Sequence, residues 1–162
     1  MLVVLLLSNP VFAKAECYSS AEMRAEQFLR LHSELMVIAY SCKRSSQNFD
    51  LISVYTAFTQ NNLGELQAAD KTLLDHYKKQ YGGDGLTQLD DLHTKLGNEA
   101  GQVIADQSLE TFCDTNRDRP LKMFFIDRKQ LRDEISNMMA SAKSYCPLCK
   151  KPGSAVRTHK AK

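Results

Sequence analysis

Residues 19–42 read SSAEMRAEQFLRLHSELMVIAYSC, and the fold class follows from them. Their apolar side chains recur at steps of three and four residues, the period of one face of an α-helix. The members of this stripe are Ala21, Ala25, Phe28, Leu31, Leu35, Ile38 and Cys42. Ser19 and Glu22 have the capping-box spacing, in which hydroxyl and carboxylate satisfy backbone amides at a helix start. The stretch therefore predicts an amphipathic helix over residues 20–41.

Three further segments show the same helical period. The second predicted helix runs from about residue 48 to residue 81, the third from 87 to 107, and the fourth begins at Pro120 and stops before Pro147. The stripe of the second stays in phase across NNLG at 61–64, so we predict one long helix there. Between residues 16 and 149, Leu and Ala total 26 while Val and Ile total 8, which favours helix over sheet. We therefore predict an all-α protein, an up-down-up-down four-helix bundle.

The predicted topology determines which cysteines can be bonded to each other. A helix of the first segment's length spans about 33 Å, which places Cys17 and Cys42 at opposite ends. They cannot be bonded to each other, because a disulfide needs Cα atoms within about 7 Å. Antiparallel helices return the chain to each end in turn, so we predict a disulfide between Cys42 and Cys113. At the other end Cys17 pairs with either Cys149 or Cys146.

The N-terminal residues have the features of the distal part of an export signal. Residues 2–7 are only Leu and Val, and the small residues Ala13 and Ala15 have the spacing that signal peptidase accepts. No basic residues precede the apolar run, so we expect the true start to lie upstream of Met1. Exported proteins keep disulfides, which fits the five cysteines. We therefore predict that residues 1–15 are part of a signal peptide, and that the protein is periplasmic or secreted.

The charges divide the remaining chain into two parts. The whole chain carries 21 Lys and Arg against 19 Asp and Glu, a formal net charge of +2. Residues 16–149 hold 15 basic and 19 acidic residues, whereas residues 150–162 hold five basic and no acidic ones. We therefore predict one helical domain over residues 16–149, followed by a disordered basic tail. Any contact with anionic surfaces is expected from that tail.

The segment CPLCK at 146–150 has the spacing of a redox dithiol, and its proline resembles the motif of glutaredoxins and periplasmic thiol oxidases. That resemblance implies a reactive cysteine at a helix N-terminus, whereas this pair follows a helix. The segment also resembles the C-x-x-C-H haem attachment of bundles such as cytochrome c′, with Lys150 in place of the histidine. A haem or thiol redox site at Cys146, Cys149 and Lys150 is the alternative hypothesis. The main one is a structural half-cystine beside a spare thiol, with no cofactor.

The predicted topology gathers four tyrosines at the Cys17 end of the bundle: Tyr18, Tyr77, Tyr81 and Tyr145. A tyrosine combines an apolar ring with a hydroxyl that prefers water or a hydrogen-bond partner. Such residues suit a surface that binds a partner protein. They equally suit an end cap on the core, which is the preferred interpretation.

Three other features lack a clear chemical role. The histidines lack an i, i+4 pair and no Glu-x-x-His occurs, so we expect no metal site. Gly97, Gly101 and Ala105 form a line of small residues on the third predicted helix, which we interpret as close packing of another helix. Arg128 lies on an apolar stripe, where it either reaches solvent or pairs with a carboxylate such as Glu34.

The remaining patterns narrow the function by exclusion. The sequence contains no nucleophile elbow, phosphate loop, dinucleotide fingerprint or basic helix face, which argues against an enzyme and against a nucleic-acid partner. No segment approaches the roughly 18 apolar residues of a membrane span. We therefore hypothesise an exported, non-catalytic helical protein that binds a protein or a cell-envelope component.

Overall fold

The computed structural model describes residues 17–44, 49–141 and 144–149. Within these ranges it has seven α-helices and, besides helix, one isolated parallel bridge between Tyr18 and Leu148. The helices are α1 (Ser20–Ser41), α2 (Leu51–Asn61), α3 (Leu63–Tyr81), α4 (Gly85–Ala105), α5 (Leu109–Asn116), α6 (Arg119–Phe125) and α7 (Arg128–Ser141). The predicted all-α class is confirmed. The predicted signal peptide and basic tail lie outside the described residues.

Helix α1 is the central helix, and each of the other six α-helices packs against it. It begins with the predicted capping box: the Ser19 hydroxyl accepts from the Glu22 backbone N, and the Ser19 backbone N donates to the Glu22 carboxylate. Every residue from 25 to 31 is buried, and seven residues make about two helical turns. Helix α1 is therefore enclosed on all sides there, so it also buries polar side chains that a one-sided stripe would leave in water.

The second predicted helix is divided, so the prediction of one long helix was wrong. Helix α2 ends at Asn61 and α3 begins at Leu63. Asn62 lies between them, and both its backbone N and its side-chain amide N donate to the carbonyl oxygen of Phe58. Asn62 has φ −114° and ψ 18°, outside the α-helical range, so the helix is interrupted at one residue while the apolar stripe stays in phase.

The fourth predicted helix is also divided, into α6 and α7. The Asp127 carboxylate accepts from the Gln130 backbone N at 2.8 Å, and the Gln130 side chain accepts from the Asp127 backbone N at 2.9 Å. This reciprocal pair has the geometry of a capping box and starts a new helix. Helix α5 was not predicted; the Ser108 hydroxyl caps it by accepting from the Thr111 backbone N.

The glycine-rich turn between α3 and α4 requires two of its glycines. Gly82 has a φ of 59°, in the left-handed region that glycine adopts at little cost. A Cβ at Gly85 would lie 2.8 Å from the backbone N of Lys78, which is too close for two non-bonded atoms. The turn therefore lets α4 begin directly against the end of α3.

Two disulfides lie at opposite ends of α1, as the sequence predicted. Cys42 is bonded to Cys113, and Cys17 is bonded to Cys149. Of the two partners left open for Cys17, the structure has Cys149. Two backbone hydrogen bonds lie beside this disulfide. The Tyr18 N donates to the carbonyl oxygen of Pro147, and the Cys149 N donates to the carbonyl oxygen of Tyr18. The chain that follows α7 is thereby held at the start of α1.

We expect that replacing both Cys42 and Cys113 with alanine lowers the free energy of unfolding by about 2–5 kcal/mol, because the bond closes a long loop in the unfolded chain. Urea denaturation monitored by circular dichroism measures the change. The control is the parent protein, which should lose at least as much when both disulfides are reduced. An unchanged urea midpoint, or a peptide map joining Cys42 to a different cysteine, would contradict the assignment.

Candidate functional site

The four predicted tyrosines do not form one partner surface. Tyr18 and Tyr77 are buried in the core, and their hydroxyl oxygens lie 2.7 Å apart. Burial, together with the hydrogen bond to Tyr77, raises the pKa of Tyr18. Tyr81 is exposed beside Tyr77, whereas Tyr145 contacts a different set of residues around Glu99. Tyr18 and Tyr77 are thus part of an end cap on the core.

The CPLCK segment does not present two cysteines for chemistry. The sulfur of Cys149 is bonded to Cys17, while Cys146 is outside both disulfides and its side chain is buried. A redox dithiol and a two-thioether haem attachment each need both sulfurs of the motif. The described residues therefore give no support to the cofactor hypothesis. Lys150 lies outside the described residues.

A buried ion pair occupies the middle of α1. Glu26 is fully buried, and it accepts a hydrogen bond at 3.2 Å from Arg30, whose side chain is about nine-tenths buried. Glu26 also accepts from the Ser144 hydroxyl at 3.0 Å and from the Tyr145 backbone N at 3.2 Å. A buried carboxylate is tolerated only when it is paired and hydrogen-bonded. Glu26 therefore holds the segment after α7 against α1.

A second carboxylate, Glu99 on α4, binds the other side of Arg30. An Nη atom of Arg30 donates to one oxygen of Glu99, and the Tyr145 hydroxyl donates to the other oxygen. Burial disfavours the charged form of Arg30, but the hydrogen bonds to Glu99 and Glu26 outweigh it and raise its pKa. Burial and the bond to Glu99 raise the pKa of Tyr145 to about 12. At neutral pH Tyr145 therefore keeps the proton that it donates.

Arg119, the first residue of α6, contributes a second arginine close to α1. Its guanidinium lies 3.3 Å from a carboxylate oxygen of Glu34 and 3.2 Å from one of Glu134. Burial raises the pKa of Glu34 even though Arg119 opposes that shift. The suggested pairing of Glu34 with Arg128 was wrong, because the Arg128 side chain is 80% exposed and lies 3.9 Å from Glu65.

These charged residues line a cavity of about 360 Å³ between α1, α4, α5 and α6, which we call the α1–α4 cavity. Its polar walls are Arg30, Glu34, Glu99, Asn116 and Arg119, and its apolar walls are Ile38, Leu96, Ala100, Val103 and Phe112. Apolar walls with a few placed polar groups, at a volume above roughly 300 Å³, are typical of ligand pockets. The α1–α4 cavity is therefore the candidate functional site.

The charges around the α1–α4 cavity are unbalanced. They comprise two guanidinium groups, of Arg30 and Arg119, and four carboxylates, of Glu26, Glu34, Glu99 and Glu134. Arg30, Arg119, Glu34 and Glu99 line the cavity, whereas Glu26 and Glu134 belong to the network through the arginines that they share. Burial is the main cause of the raised pKa of Glu34, and Arg119 and Arg30 oppose that shift.

Gly97 and Gly101 leave a smooth strip on α4. A Cβ at either position would meet no further described atom within 4 Å. The predicted close packing of another helix on this line was therefore wrong for the described part of the chain. Val103, which lines the cavity, is 46% exposed. It is two residues from Gly101 and therefore lies on nearly the opposite side of α4, so the glycine strip is a separate surface.

The histidines have structural partners. His76 lies 3.0 Å from a carboxylate oxygen of Glu22, and His93 lies 2.9 Å from one of Asp70. In the described ranges, no three His, Cys, Asp or Glu side chains are grouped so that they could hold a metal ion. None of the helices in those ranges has the length and apolarity needed to cross a membrane.

Comparison with known protein families, curated proteins and solved structures found no match for this chain.

We expect Arg30→Met to lower the free energy of unfolding by about 3–5 kcal/mol, because it leaves the Glu26 carboxylate buried without its cation. Adding Glu26→Gln should restore part of that loss, since the buried charge is then gone. Lys71→Met, which breaks the exposed pair with Asp75, is the matched control and should cost less than about 1 kcal/mol. Equal urea midpoints for Arg30→Met and Lys71→Met would contradict the buried pair.

Proposed function

We propose that the protein is an exported, non-catalytic helical protein that acts by binding a protein or another component of the cell envelope. The α1–α4 cavity, with its excess of carboxylates, is the observation that carries this proposal. Its preferred ligand is a basic side chain, lysine or arginine, presented by a partner protein or envelope peptide. The charge of the cavity disfavours nucleic acid, which is a polyanion.

Three properties of the cavity support a basic group as the ligand. Glu34 and Glu99 line it, and each shares an arginine with another carboxylate. The apolar wall residues Ile38 and Phe112 suit the aliphatic stem of a long basic side chain. Val103, which lines the cavity, is 46% exposed, so the cavity opens to solvent and leaves room for the backbone that carries the side chain.

Export to the periplasm or the cell exterior is part of the same proposal. Two disulfides, one at each end of α1, are typical of an oxidising compartment. Residues 1–15 have the apolar run and the small-residue spacing of a signal peptide.

We further propose that the helices follow the up-down-up-down path of a four-helix bundle, in which α2 with α3 forms the second member and α6 with α7 the fourth. The contact between Tyr18, before α1, and Tyr77, near the end of α3, supports an antiparallel pair. The bond between Cys17 and Cys149 supports the return of the chain along α7.

We expect a capped leucyl-lysyl-leucine tripeptide to shift amide NMR signals of residues lining the α1–α4 cavity, and its norleucine analogue to shift none of them. Glu34→Gln and Glu99→Gln should each weaken binding of the lysine peptide by about tenfold or more, because each removes a charged hydrogen-bond acceptor. Asp91→Asn, on the exposed surface of α4, is the matched control and should leave the affinity unchanged. Equal binding of the two peptides, or no binding of either, would contradict the proposal.

The same titration has a predicted pH dependence. Burial raises the pKa of Glu34, so this carboxyl holds a proton to higher pH than an exposed glutamate. A cationic ligand favours the ionised form and expels that proton. Affinity should therefore rise as the pH increases through the pKa of Glu34 and level off above it, and Glu34→Gln should flatten that rise.

We expect the chain, expressed in a bacterium, to be recovered from the periplasm or medium with a new N-terminus. Mass spectrometry should find cleavage after Ala13 or Ala15, since these residues have the spacing that signal peptidase accepts. Replacing Ala13 and Ala15 with glutamine should leave the signal uncleaved. A recovered chain that begins at Met1 would contradict the signal peptide.

A further inference from the structure

A second concave surface lies on α1 between α3 and α7, and it shares no lining residue with the α1–α4 cavity. It is a groove of about 240 Å³, which we call the α3–α7 groove. Its apolar lining includes Ala21, Ala25, Phe28, Ala68, Leu131 and Ile135. Both α3 and α7 pack against α1, but the short alanine side chains leave space between them that larger residues would fill.

Two arginines, Arg24 and Arg132, line the α3–α7 groove, and in the described part of the chain neither forms a salt bridge with a carboxylate. Arg24 on α1 donates to the Ser136 hydroxyl at 3.4 Å, and Arg132 on α7 lies one residue after the lining residue Leu131. Within the described ranges neither arginine lies within 4.0 Å of a carboxylate oxygen. The acidic residue of the lining, Glu65, is 3.9 Å from a third arginine, Arg128.

We propose that the α3–α7 groove binds a free fatty acid, with the alkyl chain over the alanines and the carboxylate between Arg24 and Arg132. The apolar lining supplies the hydrophobic part of the affinity. The two unneutralised guanidinium groups supply the charge that complements a carboxylate, and arginine binds this group through paired hydrogen bonds.

The size of the groove selects this occupant over larger ones. Its volume is below the roughly 300–1,000 Å³ of pockets that enclose drug-sized ligands, so it can hold part of one alkyl chain and has no room for a two-chain lipid. A surface that binds a bilayer would instead present protruding apolar side chains. The proposal is independent of the function assigned to the α1–α4 cavity, because the ligands have opposite charge and the sites have no residue in common.

The test is calorimetric titration of the full chain with dodecanoate below its micellar concentration. The comparison ligand is dodecyltrimethylammonium, which has the same alkyl chain and the opposite charge. We expect dodecanoate to bind with a stoichiometry of one and at least about tenfold more tightly than the cation. A nitroxide-labelled fatty acid should broaden the amide NMR signals of Ala25, Ala69 and Ile135, which locates the site.

Two sets of variants test separately the contribution of the arginine charges and that of the space in the groove. Arg24→Gln with Arg132→Gln should weaken dodecanoate binding by about tenfold or more, whereas Arg44→Gln with Arg117→Gln, which removes two exposed arginines elsewhere, should not. Ala68→Trp fills the groove at an exposed position, so it should abolish binding without unfolding the protein. Gln80→Trp, exposed on α3 outside the groove, is the control for the added indole ring.

Four outcomes would overturn the proposal. These are the absence of dodecanoate binding, equal affinity for the cation, broadening confined to other residues, and full binding by the Ala68→Trp variant. Binding only to phosphatidylglycerol vesicles, or dimerisation that Ala68→Trp abolishes, would likewise replace the fatty acid with a bilayer or with a second copy of the chain.

Discussion

The enclosure of α1 is the constraint on which the other features depend. Helix α1 packs against six other helices along its length, and a stretch of seven consecutive buried residues cannot direct its polar side chains to water. Glu26 and Arg30 fall within that stretch, so each must find its partners inside the protein. Their hydrogen bonds reach α4 through Glu99 and the chain after α7 through Tyr145. The buried charge thus determines which distant segments meet.

The α1–α4 cavity is a consequence of the same arrangement. Arginine and glutamate are long side chains that cannot be packed as densely as aliphatic ones without leaving space around their hydrogen-bonding groups. Arg30, Glu34 and Arg119 lie between α1 and α6. The apolar residues of α4 and α5 form the opposite wall of the cavity. The same burial raises the pKa of Glu34 and leaves two arginines shared among four carboxylates.

The disulfides and the helix breaks show which structural features a local sequence pattern can predict and which it cannot. The pairing of Cys42 with Cys113 could be predicted, because helix length alone fixes which cysteines lie near each end. The break at Asn62 could not, since a periodic stripe reports which face is apolar and is silent about the backbone angles of a single residue. The capping pair of Asp127 and Gln130 was readable from their spacing, but it lies within an apolar stripe that favoured continuation.

The sequence by itself determined the all-α class, the start and end of α1, the glycine turn and the pairing of Cys42 with Cys113, because these depend on spacing within one helix or on chain length between helices. It left the partner of Cys17 open between Cys149 and Cys146. Only the tertiary structure decided the candidate site. The stripe of α1 identified the apolar face, but Glu26 and Arg30 lie outside it, and the pattern alone would place their charges in solvent. Their burial arises from helices that approach α1 from every side, and no periodicity within a single segment contains that information.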